Sequence, residues 1–164
     1  MKKNLRVLVS DKISRKALQT LQNNNIDFDY MPDCGTSDTL IEVIEPYAGL
    51  IIRSASKVSK EVIDMGKNLE VIGRAGIGVD NIDLKAATSK GIVVMNTPDG
   101  NAITTAEHTL AMIFAACRQI PAADLSTQNG KWEKTKFMGQ ELTGKTLGLV
   151  GVGNIGSIVA DRAL

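Results

Sequence analysis

The sequence has few residues of the types that build disulfide frameworks or metal sites. Its 164 residues include two cysteines, one histidine and one tryptophan. Cys34 and Cys117 lie far apart and form no CxxC pair, so we predict neither a disulfide framework nor a metal site. Two buried thiols in a reducing compartment is the simpler interpretation, which favours a cytoplasmic protein.

The chain also has no excess or block of charge of one sign. Nineteen basic and eighteen acidic side chains nearly cancel, which argues against binding to nucleic acid or to an anionic membrane surface. No apolar run is long enough to span a bilayer. These absences leave a small molecule as the expected partner.

Short β-branched runs alternate with amphipathic segments over the first hundred residues. The runs predict five strands, and the segments between them predict four helices, each opened by a Ser or Asp that can cap free backbone N–H groups. Gly91 is expected to end the fourth helix in a left-handed conformation. This alternation is typical of an α/β fold in which helices cover both faces of a parallel sheet. The strands are predicted at residues 5–9, 26–30, 49–52, 69–73 and 92–95, and the helices at 14–21, 37–44, 59–65 and 83–89.

The pattern changes at residues 96–101, which are polar or turn-forming and predict a domain boundary. A long apolar helix is predicted at 104–120, then a stop or restart at Pro121 and a second helix to about residue 129. In the connection that follows, Trp132, Phe137 and Met138 are interpreted as packing residues. A buried strand is predicted at 146–150.

A glycine pattern of the form GxGxxG follows that last strand and opens a helix. In this context Gly151 makes a tight turn, Gly153 lets a pyrophosphate approach the backbone, and Gly156 lets helix and strand pack closely. The phosphate would lie on the helix N-terminus, where free N–H groups and the helix dipole favour an anion. We predict a dinucleotide site here; the alternative is a glycine-rich turn that binds no ligand.

Two loops carry an arginine at the carboxyl ends of predicted strands, where parallel sheets collect their ligands. Arg53 and Ser54 follow the third strand, and the run Arg74-Ala75-Gly76-Ile77-Gly78 follows the fourth. Guanidinium groups pair with carboxylate or phosphate, and backbone N–H groups between glycines suit a carboxylate. Together the loops predict a site for a small anion, with ordinary solvated arginines as the alternative.

His108 is the one histidine of the sequence, and histidine is the commonest general acid or base. It lies within a helix that has the pattern of a packing element, with no clear charged group to orient it besides Glu107. A histidine on a helix surface or at an interface is therefore the preferred interpretation.

Several segments together resemble the D-isomer-specific 2-hydroxyacid dehydrogenases, and the resemblance covers essentially the whole chain. Within that family, Lys131-Trp132-Glu133 and Lys136-Phe137-Met138-Gly139 look most like members that oxidise 3-phosphoglycerate, the reaction that opens serine biosynthesis. The segments that carry the resemblance to the family are Arg53-Ser54-Ala55, residues 73–83, Asn96-Thr97-Pro98, Thr105-Ala106-Glu107 and residues 144–156.

The resemblance implies a flavodoxin-like parallel-sheet substrate domain at residues 1–100 and the beginning of a Rossmann NAD-binding domain at 101–164. It implies that Arg53, Ser54, Arg74, Ile77 and Gly78 bind the substrate. For the cofactor it implies Thr105 near the nicotinamide ring and the phosphates on Gly151, Gly153, Asn154, Ile155 and Gly156. Ile77 departs from relatives that have threonine there, so no hydroxyl contact is expected at this position.

The family's catalytic arginine, glutamate and histidine lie beyond the GxGxxG motif and have no counterpart in these residues. We therefore expect no catalytic residue and no dehydrogenase activity in residues 1–164 alone, and we expect a dimer or higher homo-oligomer through the apolar helix. Another member of the family, such as a glyoxylate or hydroxypyruvate reductase, remains an alternative. So does a fragment that binds substrate or dimerises without catalysis.

Overall fold

A computed structural model of the chain describes residues 5–164 and divides between Gly100 and Asn101 into two compact units. The first four residues of the predicted first domain lie outside the described residues. The first unit contains all the strands of the described chain, and the second is helical.

The first unit is built on five parallel strands in the order β2-β1-β3-β4-β5. Every pair of neighbours in this sheet is parallel, which confirms the predicted fold class, and the order is that of flavodoxin-like sheets. All five predicted strands are present, with ends shifted by up to two residues. The strands are β1 (Arg6–Val9), β2 (Asp27–Tyr30), β3 (Gly49–Ile52), β4 (Val71–Arg74) and β5 (Val93–Met95).

Four helices connect these strands, as predicted. The Ser14 hydroxyl accepts from the backbone N–H of Ala17 at 3.2 Å, and the Asp83 carboxylate caps the fourth helix in the same way. The second helix is capped by Thr36, one residue before the predicted Ser37. Gly91 has φ 71°, which confirms the left-handed glycine. The helices are α1 (Arg15–Asn23), α2 (Ser37–Val43), α3 (Lys60–Met65) and α4 (Leu84–Ser89).

The hydrophobic core lies on one face of the sheet. Leu8, Leu50 and Ile72 are register partners on three adjacent strands and are at most 1% exposed. Side chains of α2, α3 and α4 pack against them, and each large apolar side chain buried in this way contributes about 1.5–3 kcal/mol. On the other face, Val93 and Met95 of β5 are more than half exposed. The helix α4 contacts β5 from the core side. The prediction that helices cover both faces therefore fails, within the described first unit, only at the outer face of β5.

The second unit consists of α5 (Ala102–Cys117), α6 (Ile120–Gln128) and α7 (Asn154–Ala163). A break between α5 and α6 agrees with the predicted stop or restart at Pro121, which lies in the first turn of α6. Ala106 of α5 and Val159 of α7 are buried. Because Met112 and Phe114 on α5 remain more than half exposed, the oligomer interface through this helix stays a prediction.

Three expectations for the second unit are wrong. Residues 146–150 form no strand, and Val150 is fully exposed. A strand needs a neighbour for its N–H and C=O groups, and the described part of the second unit contains no other strand. Trp132 and Met138 are 83% and 72% exposed rather than packed, and Cys117 is only half-buried, whereas Cys34 is buried as expected.

Within the described residues, no helix is both long enough and apolar enough to cross a membrane.

The glycines of the GxGxxG turn differ in what surrounds them. Gly151 has φ 97°, a left-handed conformation that side chains disfavour. A Cβ on Gly156 would overlap the carbonyl oxygen of Gly151, whereas a Cβ on Gly153 would meet no atom of the described residues within 4 Å. The first and third glycines are therefore needed by the turn itself, and the second faces open space.

Tyr47 links the hydrophobic core to β2 through a hydrogen bond of its hydroxyl group. Its side chain belongs to the core cluster, and its hydroxyl donates to Asp29 Oδ2 at 2.5 Å. Burial, together with the hydrogen bond to the Asp29 carboxylate and its charge, raises the pKa of Tyr47 from 10.0 to about 12. Because the folded-state pKa lies above the unfolded one, the phenol's contribution to stability is complete below about pH 10 and is lost as the pH rises through about 12.

We expect Tyr47→Phe to remove this part of the alkaline loss of stability. The measurement is the free energy of unfolding by urea at a series of pH values between 8 and 12 (about two units on either side of the ordinary tyrosine value), together with absorbance titration of the phenols. Tyr30→Phe, at an exposed tyrosine, is the matched control. Parallel loss of stability in wild type and Tyr47→Phe would contradict the assignment.

The turn geometry predicts that a side chain is tolerated at Gly153 but not at Gly156. Gly156→Ala should lower the free energy of unfolding by about 1–3 kcal/mol, the usual range for overpacking. Gly153→Ala should cost no more than about 1 kcal/mol, because alanine is a poorer N-cap than glycine but meets no neighbour. Amide hydrogen exchange over residues 151–157 provides the measurement, and equal protection in the two variants would refute the difference.

Candidate anion-binding site at the carboxyl edge of the sheet

The loops after β3 and β4 lie side by side. Ile52 at the end of β3 is the register partner of Arg74 at the end of β4. Arg53 therefore begins its loop next to the strand end that carries Arg74. The structure thus places the predicted residues Arg53, Ser54, Arg74, Ile77 and Gly78 in adjacent loops at one edge of the sheet, within the first unit.

Three successive carbonyl groups of the β4 loop are each held by a donor. The Gly76 carbonyl accepts from the backbone N–H of Thr97 at 2.9 Å, and the Ile77 carbonyl accepts from Asn96 Nδ2 at 2.7 Å. The Gly78 carbonyl accepts from Arg74 Nη1. All the oxygens of this short run are therefore directed toward the protein.

This arrangement fixes where the N–H groups of the loop point. No peptide bond of the described chain is cis, and in a trans peptide the N–H lies opposite the C=O of the same plane. With the carbonyls of Gly76 and Ile77 bound inward, the N–H groups of Ile77 and Gly78 point away from those donors. Neither N–H has an acceptor among the described residues. Two adjacent free amides of this kind can bind a carboxylate.

Arg74 binds this loop through its largely buried side chain. Its side chain is 11% exposed and its Nη1 lies 3.8 Å from Asp80 Oδ1 in addition to its bond with the Gly78 carbonyl. Its Nε is buried and has no partner among the described residues. The contacts show Arg74 holding the loop, and its contact with a ligand stays a prediction.

Arg53 lies beside a small polar cleft of about 280 Å³, lined by the β1, β2 and β3 loops. Its guanidinium donates to the carbonyl of Lys12 at 3.2 Å and remains exposed, so it has further donors for a ligand. Ser54 lines the same cleft with Lys12 and Asp33. Asp11 also lines the cleft, but its carboxylate is buried and bound to two backbone N–H groups of the β3 loop. The exposed Lys12 and Arg53 can therefore bind an anion such as phosphate.

Four polar residues at this edge were not identified as functional from the sequence: Asp11, Asn81, Asn96 and Thr97. Asn96 and Thr97 were interpreted as part of a domain boundary, yet both bind loop carbonyls. The signal for Asp11 was available, because it lies two residues after a buried strand in a parallel sheet. Asp11 is only 3% exposed, a rare environment for a carboxylate.

The second unit contains the residues predicted to bind the dinucleotide. Gly153 precedes α7 with open space around it, and Asn154, Ile155 and Gly156 form the first turn of that helix. Gly153, the N-cap residue, makes no side-chain cap hydrogen bond, and the helix dipole favours an anion such as phosphate at this end. Thr105 on α5 donates its hydroxyl proton to the Asn101 carbonyl at 2.8 Å, so its oxygen remains an acceptor.

His108 and possible metal ligands are the remaining candidates for chemistry in the described residues. His108 is exposed on α5, in agreement with its interpretation as a surface residue. Among the described residues, no group of three or more His, Cys, Asp or Glu side chains could hold a metal ion.

Comparison with known proteins gives consistent matches over nearly the whole chain. D-3-phosphoglycerate dehydrogenase from Archaeoglobus fulgidus is 48% identical over 158 residues, which are 96% of this chain and 30% of that protein. The TT0316 protein from Thermus thermophilus is 35% identical with a TM-score of 0.87, over 97% of this chain and 52% of that one. NAD-dependent formate dehydrogenase from Staphylococcus aureus, solved in complex with NAD, is 25% identical with a TM-score of 0.84, over 96% and 52% of the two chains.

The chain spans about 30% of the length of its curated relative. The family of the D-isomer specific 2-hydroxyacid dehydrogenase catalytic domain matches residues 7–161, and this family uses NAD or NADP. This match covers both the five-stranded sheet and the GxGxxG turn. The chain belongs to the D-isomer specific 2-hydroxyacid dehydrogenase family.

Proposed function

We propose that this chain supplies the substrate loops and the phosphate-binding turn of an NAD-dependent D-3-phosphoglycerate dehydrogenase. In that reaction the C2 hydroxyl of 3-phosphoglycerate loses a proton and its carbon loses a hydride to NAD, which gives 3-phosphohydroxypyruvate and NADH. The 48% identity to a D-3-phosphoglycerate dehydrogenase supports this member of the family. Residues 1–164 would bind and orient, and the acid/base group would come from elsewhere in the enzyme.

The observation that carries the proposal is that two free amides and a cleft with two cationic side chains lie in adjacent loops. The amides of Ile77 and Gly78 suit a planar carboxylate, and the cleft at Arg53 and Lys12 suits a phosphate. 3-Phosphoglycerate has a carboxylate at one end and a phosphate at the other. A glyoxylate or hydroxypyruvate reductase would use only the first of these sites.

The cofactor would bind on the second unit. NAD brings a pyrophosphate, and Gly153 leaves the space through which that group can approach the backbone at the start of α7. The N-terminus of α7 would supply N–H donors and a favourable dipole. The Thr105 oxygen could accept a hydrogen bond from the carboxamide of the nicotinamide. NAD would supply the hydride acceptor, and these residues would only bind and orient it.

The two-site proposal predicts that one arginine distinguishes phosphorylated from unphosphorylated acids. Arg53→Ala in the full chain should raise the Kd of 3-phosphoglycerate by roughly 10- to 100-fold, the effect of losing a charge-assisted bond of about 1.5–3 kcal/mol. The Kd of D-glycerate should change little, because D-glycerate has no phosphate. Isothermal titration calorimetry measures both constants.

Arg15→Ala is the matched control, since Arg15 is an exposed arginine at the start of α1 and its loss changes net charge by the same amount. Equal weakening of the two acids by Arg53→Ala would contradict a phosphate site at Arg53. Tighter binding of D-glycerate than of 3-phosphoglycerate by the wild type would favour the reductase alternative.

The cofactor proposal predicts that a side chain at Gly153 blocks NAD. Gly153→Val in the full chain should weaken NAD binding severely, because the side chain occupies the space needed by the pyrophosphate. The cofactor-free Tm and the Kd of 3-phosphoglycerate should change little. Calorimetric titration with NAD, alongside thermal unfolding of the cofactor-free protein, gives the result, and retained NAD affinity would show that the dinucleotide binds elsewhere.

A further inference from the structure

We propose that Asp11 and Asn81 are positioning residues that together clamp the loop of residues 53–56, and that Asn81 fixes the spacing between this loop and the amides of Ile77 and Gly78. The inference rests on the proposed function, because it assigns the clamp to the recognition of an acid with two anionic ends.

Asp11 holds the N–H groups at the two ends of the loop. One of its oxygens, Oδ2, accepts from the backbone N–H of Arg53 and from that of Ser56, the latter at 3.1 Å. The residue is 3% exposed, and a carboxylate is costly to bury unless its hydrogen bonds are made. Both bonds go to the loop, so the loop geometry is what this buried charge stabilises.

Asn81 holds the carbonyl groups at the same two ends. Its Nδ2 donates to the carbonyl of Arg53 at 2.7 Å and to that of Ser56 at 2.6 Å. The backbone adds a further connection, because the N–H of Val58 donates to the Asn81 carbonyl at 2.8 Å. The N–H and C=O groups of both Arg53 and Ser56 are therefore all bound.

The middle of the loop is left for a ligand. The N–H groups of Ser54 and Ala55 have no acceptor among the described residues, and both residues line the polar cleft with Arg53. Behind the loop, the hydroxyls of Ser56 and Ser10 lie 2.8 Å apart, and both residues are fully buried. The loop is therefore supported from behind, and the two residues with free amides line the cleft.

Asn81 and Asp11 lie in different connections of the sheet. Asp11 follows β1, whereas Asn81 follows β4 in the same connection as Ile77 and Gly78. Its two side-chain bonds cross from the carboxylate loop to the phosphate loop and set the distance between them. Loss of these bonds should affect a ligand that spans both loops more than a ligand that occupies only one.

The test compares Asn81→Ala, Asp11→Ala and Asp11→Asn with wild type in the full chain. Asp11→Asn retains a carbonyl oxygen that can accept both N–H bonds, so it should restore what Asp11→Ala loses. Asn68→Ala is the matched control, because Asn68 also donates to a backbone carbonyl, that of Glu45 at 2.9 Å, in a connection that precedes β4 rather than follows it. The measurements are amide hydrogen exchange at Arg53 and Ser56 and the calorimetric Kd of 3-phosphoglycerate and of D-glycerate.

We expect Asn81→Ala to speed exchange at Arg53 and Ser56 and to raise the Kd of 3-phosphoglycerate roughly tenfold, as the loss of two hydrogen bonds allows. The Kd of D-glycerate should change by less than about threefold, within the effect of one weak hydrogen bond. Asp11→Asn should exchange as slowly as wild type, and Asn68→Ala should resemble wild type in every measurement.

Unchanged exchange in Asn81→Ala would overturn the clamp. Faster exchange with an unchanged Kd of 3-phosphoglycerate, or an equal rise for both acids, would overturn its role in spacing the two sites. Should Asp11→Ala fail to fold, Asn81→Ala and Asp11→Asn still decide these points. If wild type binds neither acid, the proposed function fails together with the spacing role, which distinguishes that result from a failure of the inference alone.

Discussion

The parallel alignment of β1, β3 and β4 is the constraint on which the rest of the first unit depends. Leu8, Leu50 and Ile72 are register partners and fill one continuous face, so a shift of one residue would turn each of them toward the opposite face. The same alignment places the carboxyl ends of three strands at one edge. The loops that carry Asp11, Arg53 and Arg74 therefore lie together because the hydrophobic core fixes where the strands end.

The two loops at this edge are ordered by hydrogen bonds between side chains and many of their polar backbone groups. Asn96, Thr97 and Arg74 bind the carbonyls of the β4 loop, and Asp11 and Asn81 bind both ends of the β3 loop. What remains unbound is a small set of amides in two adjacent loops. A flexible loop would lose conformational entropy when it became ordered on binding a ligand. These loops are already ordered by their hydrogen bonds.

The sequence predicts the sheet well because each strand carries its own signal: the short β-branched runs at Gly49–Ile52 and Val93–Met95 are local patterns, as is the left-handed Gly91. Residues whose role depends on a distant partner are harder to predict. Asn81 acts on Arg53 and Ser56, more than twenty residues away, and no local pattern indicates that contact. The prediction of a strand ending at Val150 failed for a related reason. A hydrophobic run predicts a strand, but only a neighbouring strand can bind its N–H and C=O groups. Arg74 was correctly placed at the edge, yet its burial and its bond to Gly78 could not be read from its position alone.

One consequence of the inward-facing carbonyls concerns protonation. The proposed carboxylate site at Ile77 and Gly78 is made of peptide dipoles, and a peptide N–H does not titrate in the physiological range. Unlike a site built on histidine or lysine, it retains its electrostatic character while neighbouring side chains gain or lose protons. The receptor side of carboxylate recognition would then be independent of pH near neutrality, so that any dependence on proton concentration would arise from the phosphate of the substrate and from the group that takes the C2 hydroxyl proton.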